Sequence, residues 1–460
     1  MSNMHVNYEL IKKYDKPGPR YTSYPPATFF NNGFTSNDFR QHVIASNSQH
    51  PRNLSFYFHV PFCPQLCHFC GCNTDVMKGK SFIARYVEAM KNEFETVTQF
   101  IDKDRPVTQI HWGGGTPNSI SMDFVAEIMA LITSKFSLAP SCEIAMECNP
   151  AYLTYSQIDK LAELGFNRLS LGIQDFNPEV LNLVNRKPSQ LPVADVVNYL
   201  RTKNIGVNLD FIYGLPAQTP ESFDSTIRQA AQISPDRIVT FSYAHVPWVK
   251  SAQKVLEQYE IPGPEAKLAM FEKSYNILVD NGYEAIGLDH FAKPSDSMTV
   301  ALKNRTLQRN FMGYCTAENT GQVYAFGSTG ISQLWDAYSQ NVKNTEAYVE
   351  AALKDGFAIE KGYRLSARDL VCRAVIQDIM CNGYVNLENV ANNFALPENE
   401  IVEMLNFNPQ SLQPLVDDGL IIFDGRELTV LPEGRMFMRN VAMLFDPLFT
   451  GKETMYSKTV

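Results

Sequence analysis

Residues 54–73 read LSFYFHVPFCPQLCHFCGCN, an apolar run that passes directly into a cysteine-rich loop. The run over residues 54–60 is rich in aromatic and β-branched residues, which predicts a buried β-strand. Four of the nine cysteines of the chain follow within ten positions, at Cys63, Cys67, Cys70 and Cys72. Because a disulfide framework spreads its cysteines over the chain, this cluster indicates a functional site instead.

Further along the chain, short strand-like runs alternate with longer segments of helical period. The predicted strands cover residues 54–60, 107–112, 142–147, 168–173, 207–212, 237–244 and 283–288. Such alternation is typical of βα units around a parallel sheet, and polar or glycine-rich residues follow each strand. In a parallel barrel the active site is assembled from these carboxyl-terminal strand ends. We therefore predict an α/β protein with a partial, open (β/α)6-type barrel; a doubly wound sheet is the alternative.

The sequence predicts three segments. Residues 1–52 form an ordered N-terminal arm that contains PGPRYTSYPP at 17–26, and residues 53–360 form the catalytic barrel with an extension. Residues 361–460 read as a mainly helical lid domain that ends in a β-hairpin turning at Asp424-Gly425. Helices before a hairpin also suggest a winged helix, but this segment has nine basic against thirteen acidic residues, which is unsuited to DNA.

Composition narrows the classes of function. With 45% hydrophobic and 19% charged residues, the chain is predicted to be globular, and no apolar run is long enough for a membrane span. The net charge of −9 argues against a nucleic-acid partner. The first residues show no apolar signal region, so we expect a cytoplasmic protein.

The cysteine spacing C-x3-C-x2-C places three thiolates on one loop. Three ligands suit three irons of a 4Fe-4S cluster and leave the fourth iron open, as a catalytic metal requires. A zinc site usually has a second cysteine or histidine pair, yet the next cysteine is Cys142. Zinc and a redox thiol pair remain alternatives. Cys72 is two residues from Cys70 on the same short loop, so we predict a role near the reaction centre and not as a ligand.

Other strand ends carry candidate binding groups. The three glycines 113–115 allow backbone N–H groups to approach a carboxylate, although they also suit a simple tight turn. Glu147 and Asp210 lie at strand ends, where a carboxylate accepts from hydroxyl or ammonium groups or pairs with a neighbouring arginine. The glycine spacing is not G-x-G-x-x-G, which excludes a dinucleotide fingerprint.

The cysteine motif after the first strand and the glycines after the second resemble the radical S-adenosylmethionine (SAM) enzymes. Further strings resemble one family among them, the oxygen-independent coproporphyrinogen III oxidases, over nearly the whole chain. These strings are GPRYTSYPP at 18–26, YFHVPFC at 57–63, HWGGGTP at 111–117, GIQDF at 172–176, DFIYGLP at 210–216 and DHFA at 289–292. The extra Cys72 belongs to the same pattern. Some family members have glutamine where this chain has Met312, which removes a polar contact there.

The resemblance implies roles for individual residues. Cys63, Cys67 and Cys70 would bind the cluster, and Cys72 would serve catalysis. Contacts to the cluster-bound SAM would come from Tyr57, Gly114, Glu147 and Ile331. A second SAM would be bound by Phe69, Gly115, Thr116, Gln174, Arg186, Asp210 and Ala244.

The implied reaction is the anaerobic oxidative decarboxylation of coproporphyrinogen III to protoporphyrinogen IX in haem biosynthesis. The cofactors would be one 4Fe-4S cluster and two SAM molecules per active site. An electron donor protein and a terminal electron acceptor are further expected partners, and the chain would be a monomer. The alternative is a haem-handling chaperone of the same superfamily, whose members generally lack the arm and the extra cysteine, and a zinc-containing regulator is a third possibility.

Overall fold

The computed structural model describes residues 3–449 and contains the predicted alternation of strands and helices. The strands are β1 Leu54–Val60, β2 Phe62–Cys63, β3 Asp75–Val76, β4 Val107–Gly114, β5 Leu138–Cys148, β6 Arg168–Gln174, β7 Gly206–Tyr213, β8 Arg237–Ser242, β9 Glu284–Ile286, β10 His290–Ala292, β11 Leu307–Asn310, β12 Gly313–Thr316, β13 Gln322–Phe326, β14 Ile331–Gln333, β15 Ala337–Asn341, β16 Ile359–Arg364, β17 Tyr384–Asn386, β18 Ile421–Phe423 and β19 Glu427–Val430. The helices are α1 Tyr8–Tyr14, α2 Ser36–Ala45, α3 Lys80–Thr98, α4 Met122–Lys135, α5 Tyr155–Glu163, α6 Pro178–Leu183, α7 Val193–Thr202, α8 Pro220–Ile233, α9 Pro264–Asp280, α10 Ser297–Lys303, α11 Thr345–Asp355, α12 Ala367–Asn382, α13 Leu387–Phe394, α14 Glu398–Leu405, α15 Gln413–Asp417 and α16 Met438–Met443.

The chain forms two compact units, each built from separate stretches of sequence. The larger unit contains residues 31–281 and 318–363, and the smaller one contains residues up to Phe30, 282–317 and from Arg364 onward. The division at residues 52 and 360 remains a sequence-based prediction. None of the helices within residues 3–449 is both long and apolar enough to cross a bilayer.

The sheet of the larger unit has the order β16-β15-β14-β13-β1-β4-β5-β6-β7-β8. From β1 through β4, β5, β6 and β7 to β8, every neighbouring pair is parallel. This arrangement confirms the predicted α/β fold with a partial, open barrel. Because these strands run in one direction, their carboxyl-terminal ends lie at one edge of the sheet. All six strands predicted between residues 54 and 244 are present there.

Strand β1 lies in the middle of this sheet and is covered on both faces. Phe56 and Phe58 are fully buried, and the Phe58 ring stacks on Trp112 with 4.9 Å between centroids. On the same face of the strand, Phe94 of α3 packs edge-on against Phe56 at 5.3 Å, and on the opposite face Ser55 and His59 are also buried. Each such ring contributes about 2 kcal/mol by burial, and coverage of both faces explains the nearly continuous apolar run.

In the smaller unit, the segment around the PGPRYTSYPP string is held by residues near the end of the described chain. The Tyr21 and Tyr24 hydroxyls donate to Asp446 at 2.8 Å and 3.0 Å. The Arg439 Nε donates to the Pro19 carbonyl at 3.1 Å. These bonds order the arm, as its turn-rich sequence predicts.

The predicted C-terminal hairpin is also present in the smaller unit. Strands β18 and β19 pair antiparallel around Gly425, whose φ of +104° favours glycine. Strand β17 pairs on the other side of β19, and the chain continues past the hairpin into α16. Met312 lies in the turn between β11 and β12, where its N–H donates to the Asn310 side chain at 2.9 Å.

Glu93 of α3 is a carboxylate in the interior of the larger unit, with only 2% of its surface exposed. It accepts hydrogen bonds from Gly327 N at 3.0 Å, Tyr348 Oη at 2.6 Å and Asn341 Nδ2 at 2.6 Å. Burial raises the pKa of Glu93 to about 7 from an ordinary value of 4.5, and the three donors oppose this rise. The carboxylate thereby fixes the turn that begins at Gly327 and leads to β14.

This pKa shift predicts a pH-dependent stability. Between about pH 5 and pH 7 the native chain retains a proton on Glu93 that the unfolded chain has released. The contribution of Glu93 to the free energy of unfolding is therefore fully present at low pH and is lost as the pH rises through 7. The loss amounts to roughly 3 kcal/mol. In Glu93→Gln we expect a shallower pH dependence of the urea unfolding midpoint of the apoprotein. Glu88→Gln, on the exposed side of α3, should keep the wild-type slope; equal slopes in all three proteins would contradict the prediction.

Candidate functional site

The cysteine loop, defined here as residues 63–73, begins at the end of β2 at the carboxyl-terminal edge of the sheet. Two backbone bonds hold the start of the loop against β3 and the residue that follows it: Asp75 N donates to Pro61 O at 2.8 Å and Met77 N to Cys63 O at 2.9 Å. Cys63 is buried, Cys67 and Cys70 are half-buried and Cys72 is exposed. The loop therefore starts from a rigid base and extends towards solvent.

Hydrogen-bond donors surround the sulfur atoms of the three predicted ligands. Thr116 Oγ1 donates to Cys63 Sγ at 3.3 Å, and Arg186 Nη1 donates to Cys67 Sγ at 3.7 Å. The hydrogen bond from Cys72 lowers the pKa of Cys70, whereas burial raises the pKa values of Cys63 and Cys67 against the effect of their donors. Donors to sulfur stabilise thiolates and tune an iron–sulfur cluster, so these surroundings fit a cluster held by the three cysteines.

A single metal ion requires ligands that converge on one point. Among residues 3–449, no three histidine, cysteine or acidic side chains converge in this way. A 4Fe-4S cluster instead takes one thiolate per iron, so its ligands surround a cube.

Two glycines at the end of β4, the last residue of the strand and the one after it, allow the backbone to approach the cysteine loop. A Cβ at Gly115 would overlap the Pro61 carbonyl oxygen and lie 3.0 Å from Cys63 Sγ. Gly115 N donates to Val60 O at 2.8 Å, which holds the strand end against the loop. Gly114 has a φ of +121°, where a side chain would also be strained. The glycines are thus required by close approach as well as by the turn.

Glu147, predicted to contact the first SAM, lies beside Gly114. It accepts from Gly114 N at 3.2 Å and bonds His111 Nε2 at 3.1 Å. Desolvation alone would raise the pKa of Glu147, but the His111 bond and the Gly114 N–H hold it below its usual range. The carboxylate is therefore ionised and half-exposed, as a group that binds an ammonium or ribose hydroxyl must be.

Tyr57 is on β1 next to this carboxylate, and its ring stacks on His111 at 5.9 Å. Its hydroxyl bonds His59 Nδ1 at 3.0 Å, while His59 Nε2 faces the Asn73 carbonyl at 3.1 Å. A carbonyl can only accept, so Nε2 carries the proton and the Tyr57 hydroxyl donates to Nδ1. His59 thus links Tyr57 to the end of the cysteine loop.

Three residues predicted for the second SAM meet around Gly172 of β6. A Cβ at Gly172 would lie 2.7 Å from Gln174 Nε2 and 2.9 Å from Arg186 Nη2. Gln174 has a φ of +72°, a costly conformation for a non-glycine residue that coincides with a register shift at the end of β6. Arg186 also donates to the Gly172 carbonyl.

Asp210 of β7 pairs in register with Gly172. Its carboxylate accepts from Ser170 Oγ at 2.7 Å and Asn208 Nδ2 at 2.8 Å. Ser170 in turn pairs in register with Glu147, so the two predicted SAM carboxylates lie on β5 and β7, the strands on either side of β6.

The remaining predicted residues lie at the two sides of this group. Phe69 and Ala244 are joined by the side chain of Gln253, which donates to both of their carbonyls at 3.1 Å and 3.2 Å. Ile331 begins β14 on the other side of β1: the pair Val323↔Gln333 places it near Ala325, which pairs with Tyr57.

Some site residues have no assigned role in the sequence analysis. His111 comes just before the glycines. It lies on β4 opposite Ala145 of β5, so its side chain projects to the same face of the sheet as Glu147, two positions further along β5. That alternation along neighbouring strands is the sequence signal that could have paired them. Lys250, which donates to the Cys72 carbonyl at 2.7 Å, and Gln253 lie in a loop without any motif. Only the tertiary structure brings these two to the site.

Known proteins similar to this chain come from the superfamily and the family that its sequence resembles. A family model described as the radical SAM superfamily matches residues 57–230. The chain is 39% identical to an oxygen-independent coproporphyrinogen III oxidase of Synechocystis, covering 98% of this chain and 97% of that one. It is 36% identical to the enzyme of the same name from Escherichia coli K12, over 99% and 98% of the two chains. A solved coproporphyrinogen III oxidase from Escherichia coli, described as a radical SAM enzyme, superposes with a TM-score of 0.89 at 35% identity, covering 97% of this chain and all of that one.

Proposed function

Since this chain belongs to the oxygen-independent coproporphyrinogen III oxidases of the radical SAM superfamily, we propose that it converts coproporphyrinogen III to protoporphyrinogen IX in haem biosynthesis. The observation that carries the proposal is the cysteine loop, whose three predicted ligands lie among donors to sulfur and beside the glycines of β4. A zinc-containing regulator does not need the ionised Glu147 carboxylate that accepts from Gly114 N. The non-catalytic chaperones generally lack the arm and the extra cysteine, which this chain has as residues 17–26 and Cys72.

Each protein group has a defined task in this proposal. Cys63, Cys67 and Cys70 hold a 4Fe-4S cluster, which when bound supplies the electron that cleaves SAM to methionine and a 5′-deoxyadenosyl radical. Glu147, ionised through His111, binds the first SAM together with Tyr57, the backbone of Gly114 and Ile331.

A second SAM is part of the proposal. Its supporting observation is the group of polar side chains around Gly172, where Gln174, Arg186 and Asp210 lie within one layer of the sheet edge. Thr116 and Gly115 lie beside Cys63, and Gln253 joins Phe69 to Ala244; we assign these four residues to the same SAM. Glu147 of β5 and Asp210 of β7, on either side of β6, provide one anionic contact for each SAM.

The substrate changes at two of its propionate side chains, on rings A and B. Each propionate loses one hydrogen atom from the carbon beside the ring, to the 5′-deoxyadenosyl radical. Loss of carbon dioxide and one electron then leaves a vinyl group. The electron passes to a terminal acceptor, and an electron donor protein reduces the enzyme.

We place this chemistry in the cytoplasm because no disulfide joins any of the nine cysteines, all of which lie in the described part of the chain. We expect the protein to be a monomer.

Anaerobic turnover of the reconstituted protein tests the function. With SAM, a strong reductant and coproporphyrinogen III, protoporphyrinogen IX and 5′-deoxyadenosine should appear together. Their ratio shows whether each decarboxylation consumes one SAM. Formation of 5′-deoxyadenosine without a porphyrin product would contradict the substrate, and an intact cluster that yields neither would favour the chaperone.

Cys72→Ser should keep the cluster and lose turnover. Cys72 is the most exposed of the loop cysteines, with its carbonyl held by Lys250, and it is not needed as a ligand if the fourth iron binds SAM. We expect wild-type iron and sulfide content and a decarboxylation rate reduced at least about 100-fold. Loss of the cluster in this variant would instead make Cys72 a ligand.

A further inference from the structure

The path of the cysteine loop is determined largely by side chains from other elements. Four of its carbonyls accept hydrogen bonds from side chains outside the loop. These bonds join Asn185 Nδ2 to Leu66 O at 2.7 Å, Gln253 Nε2 to Phe69 O at 3.1 Å, Lys250 Nζ to Cys72 O at 2.7 Å and His59 Nε2 to Asn73 O at 3.1 Å. Within the loop, Cys70 N donates to Cys67 O at 3.2 Å. A short loop with so little regular structure takes its shape from such partners.

Gln253 is the most enclosed of these donors. It lies in the 3₁₀ helix Ser251–Gln258 after β8 and is only 1% exposed. Its amide nitrogen donates to the Phe69 and Ala244 carbonyls, and its oxygen accepts from Val246 N at 2.6 Å. Both amide protons and the oxygen are thus used, each on a backbone group. One side chain therefore joins the cysteine loop to the loop that follows β8.

We propose that Gln253 is a positioning residue that fixes the spacing between the cysteine loop and the loop after β8. It touches neither the cluster ligands nor a reacting atom. Its two carbonyl partners belong to Phe69 and Ala244, so it sets the width of the second SAM pocket. This last step rests on the proposed function, whereas the effect on the two loops does not.

The chain offers a matched control in Gln322. Gln322 is 2% exposed and makes the same three kinds of bond: its nitrogen donates to Ser46 O at 3.1 Å and Pro51 O at 3.2 Å, and its oxygen accepts from Trp335 N at 3.0 Å. It belongs to the larger unit but begins β13, away from the cysteine loop. Methionine at either position keeps the length and volume of glutamine and removes all three bonds.

The first experiment measures amide hydrogen exchange of the apoprotein, so it needs neither cluster nor turnover. In Gln253→Met, exchange at Val246 N–H and in peptides covering residues 66–73 should become about fivefold faster, because each lost bond contributes about 1 kcal/mol. In Gln322→Met the acceleration should appear at Trp335 N–H and not in the cysteine loop. Unchanged exchange in residues 66–73 of Gln253→Met, or equal acceleration there in both variants, would overturn the proposal.

A second variant separates the bond that the Gln253 side-chain oxygen accepts from the two bonds that its nitrogen donates. Gln253→Glu keeps an oxygen for Val246 N but turns a carboxylate oxygen towards the Phe69 and Ala244 carbonyls. Exchange should then accelerate in residues 66–73 while Val246 stays closer to wild type. This variant also serves if Gln253→Met does not fold. Equal acceleration at both places would contradict the bonding pattern assigned to Gln253.

The second experiment tests the pocket in the reconstituted enzyme. Gln253→Met should retain wild-type iron content and SAM cleavage, but the ratio of 5′-deoxyadenosine to protoporphyrinogen IX should rise severalfold. Gln322→Met should keep the wild-type ratio. An unchanged ratio with faster loop exchange would overturn the link to the second SAM pocket alone. Failure of the wild type to make porphyrin product would overturn the proposed function and leave the exchange result standing.

Discussion

Cys67→Ala is expected to eliminate the iron–sulfur cluster and, with it, all measurable turnover. In the proposed arrangement each of the three cysteines is the sole protein ligand of one iron, so no other thiolate replaces Cys67. Its sulfur also accepts from Arg186 Nη1 at 3.7 Å, a contact that alanine cannot make. Iron and acid-labile sulfide per chain, together with the brown absorbance of the anaerobic protein, measure the loss.

Cys142→Ala is the matched control for this change. Cys142 is a buried cysteine of β5, outside the cysteine loop, and its replacement by alanine removes the same sulfur atom. This variant should retain wild-type iron and turnover, at a cost of about 1 kcal/mol in stability. A full-strength cluster in Cys67→Ala, or an equal loss in Cys142→Ala, would contradict the assignment of the ligand.

Gly115→Ala should lower the catalytic efficiency at least about 100-fold, which is the scale of a displacement of about 1 Å in an active site. The added methyl group overlaps the Pro61 carbonyl oxygen and lies 3.0 Å from Cys63 Sγ. The overlapping atom belongs to the backbone of Pro61, which joins β1 to β2. This backbone cannot move without shifting Cys63, the first predicted ligand. The kcat/KM for decarboxylation and the iron content of the variant measure the effect.

Gly71→Ala adds the same methyl group within the cysteine loop itself. A Cβ at Gly71 has no heavy atom within 4 Å, so the substitution should leave iron content unchanged and kcat/KM within about threefold of wild type. If Gly115→Ala behaved like Gly71→Ala, close backbone approach would not be the reason for glycine at position 115.

Local sequence patterns were sufficient to predict the barrel strands. The prediction of a strand at residues 54–60 is confirmed at both ends, and helices alternate with the barrel strands as predicted. These elements carry their own signals, because burial on both faces enforces an apolar run and a buried helix face enforces its period. The strands β13 to β16 lack such isolated signals, and the sequence prediction contains none of them.

The division of the chain into two units, by contrast, does not follow from local sequence patterns. The predicted boundaries follow the order of residues, whereas the smaller unit joins the arm, residues 282–317 and the C-terminal region. The bonds from Tyr21 and Tyr24 to Asp446 join residues more than 400 positions apart. Nothing in the local composition of either stretch identifies its partner.

The sequence by itself determined the fold class, the cysteine motif and the carboxylates at the strand ends, since these depend on spacing and on period along the chain. The tertiary structure alone decided which groups act on them: His111 on Glu147, Arg186 on Cys67 and Gln253 on the cysteine loop. Each of these contacts joins different strand ends or the loops that follow them. They exist because parallel strands bring distant loops to one edge of the sheet, a proximity that has no counterpart along the chain.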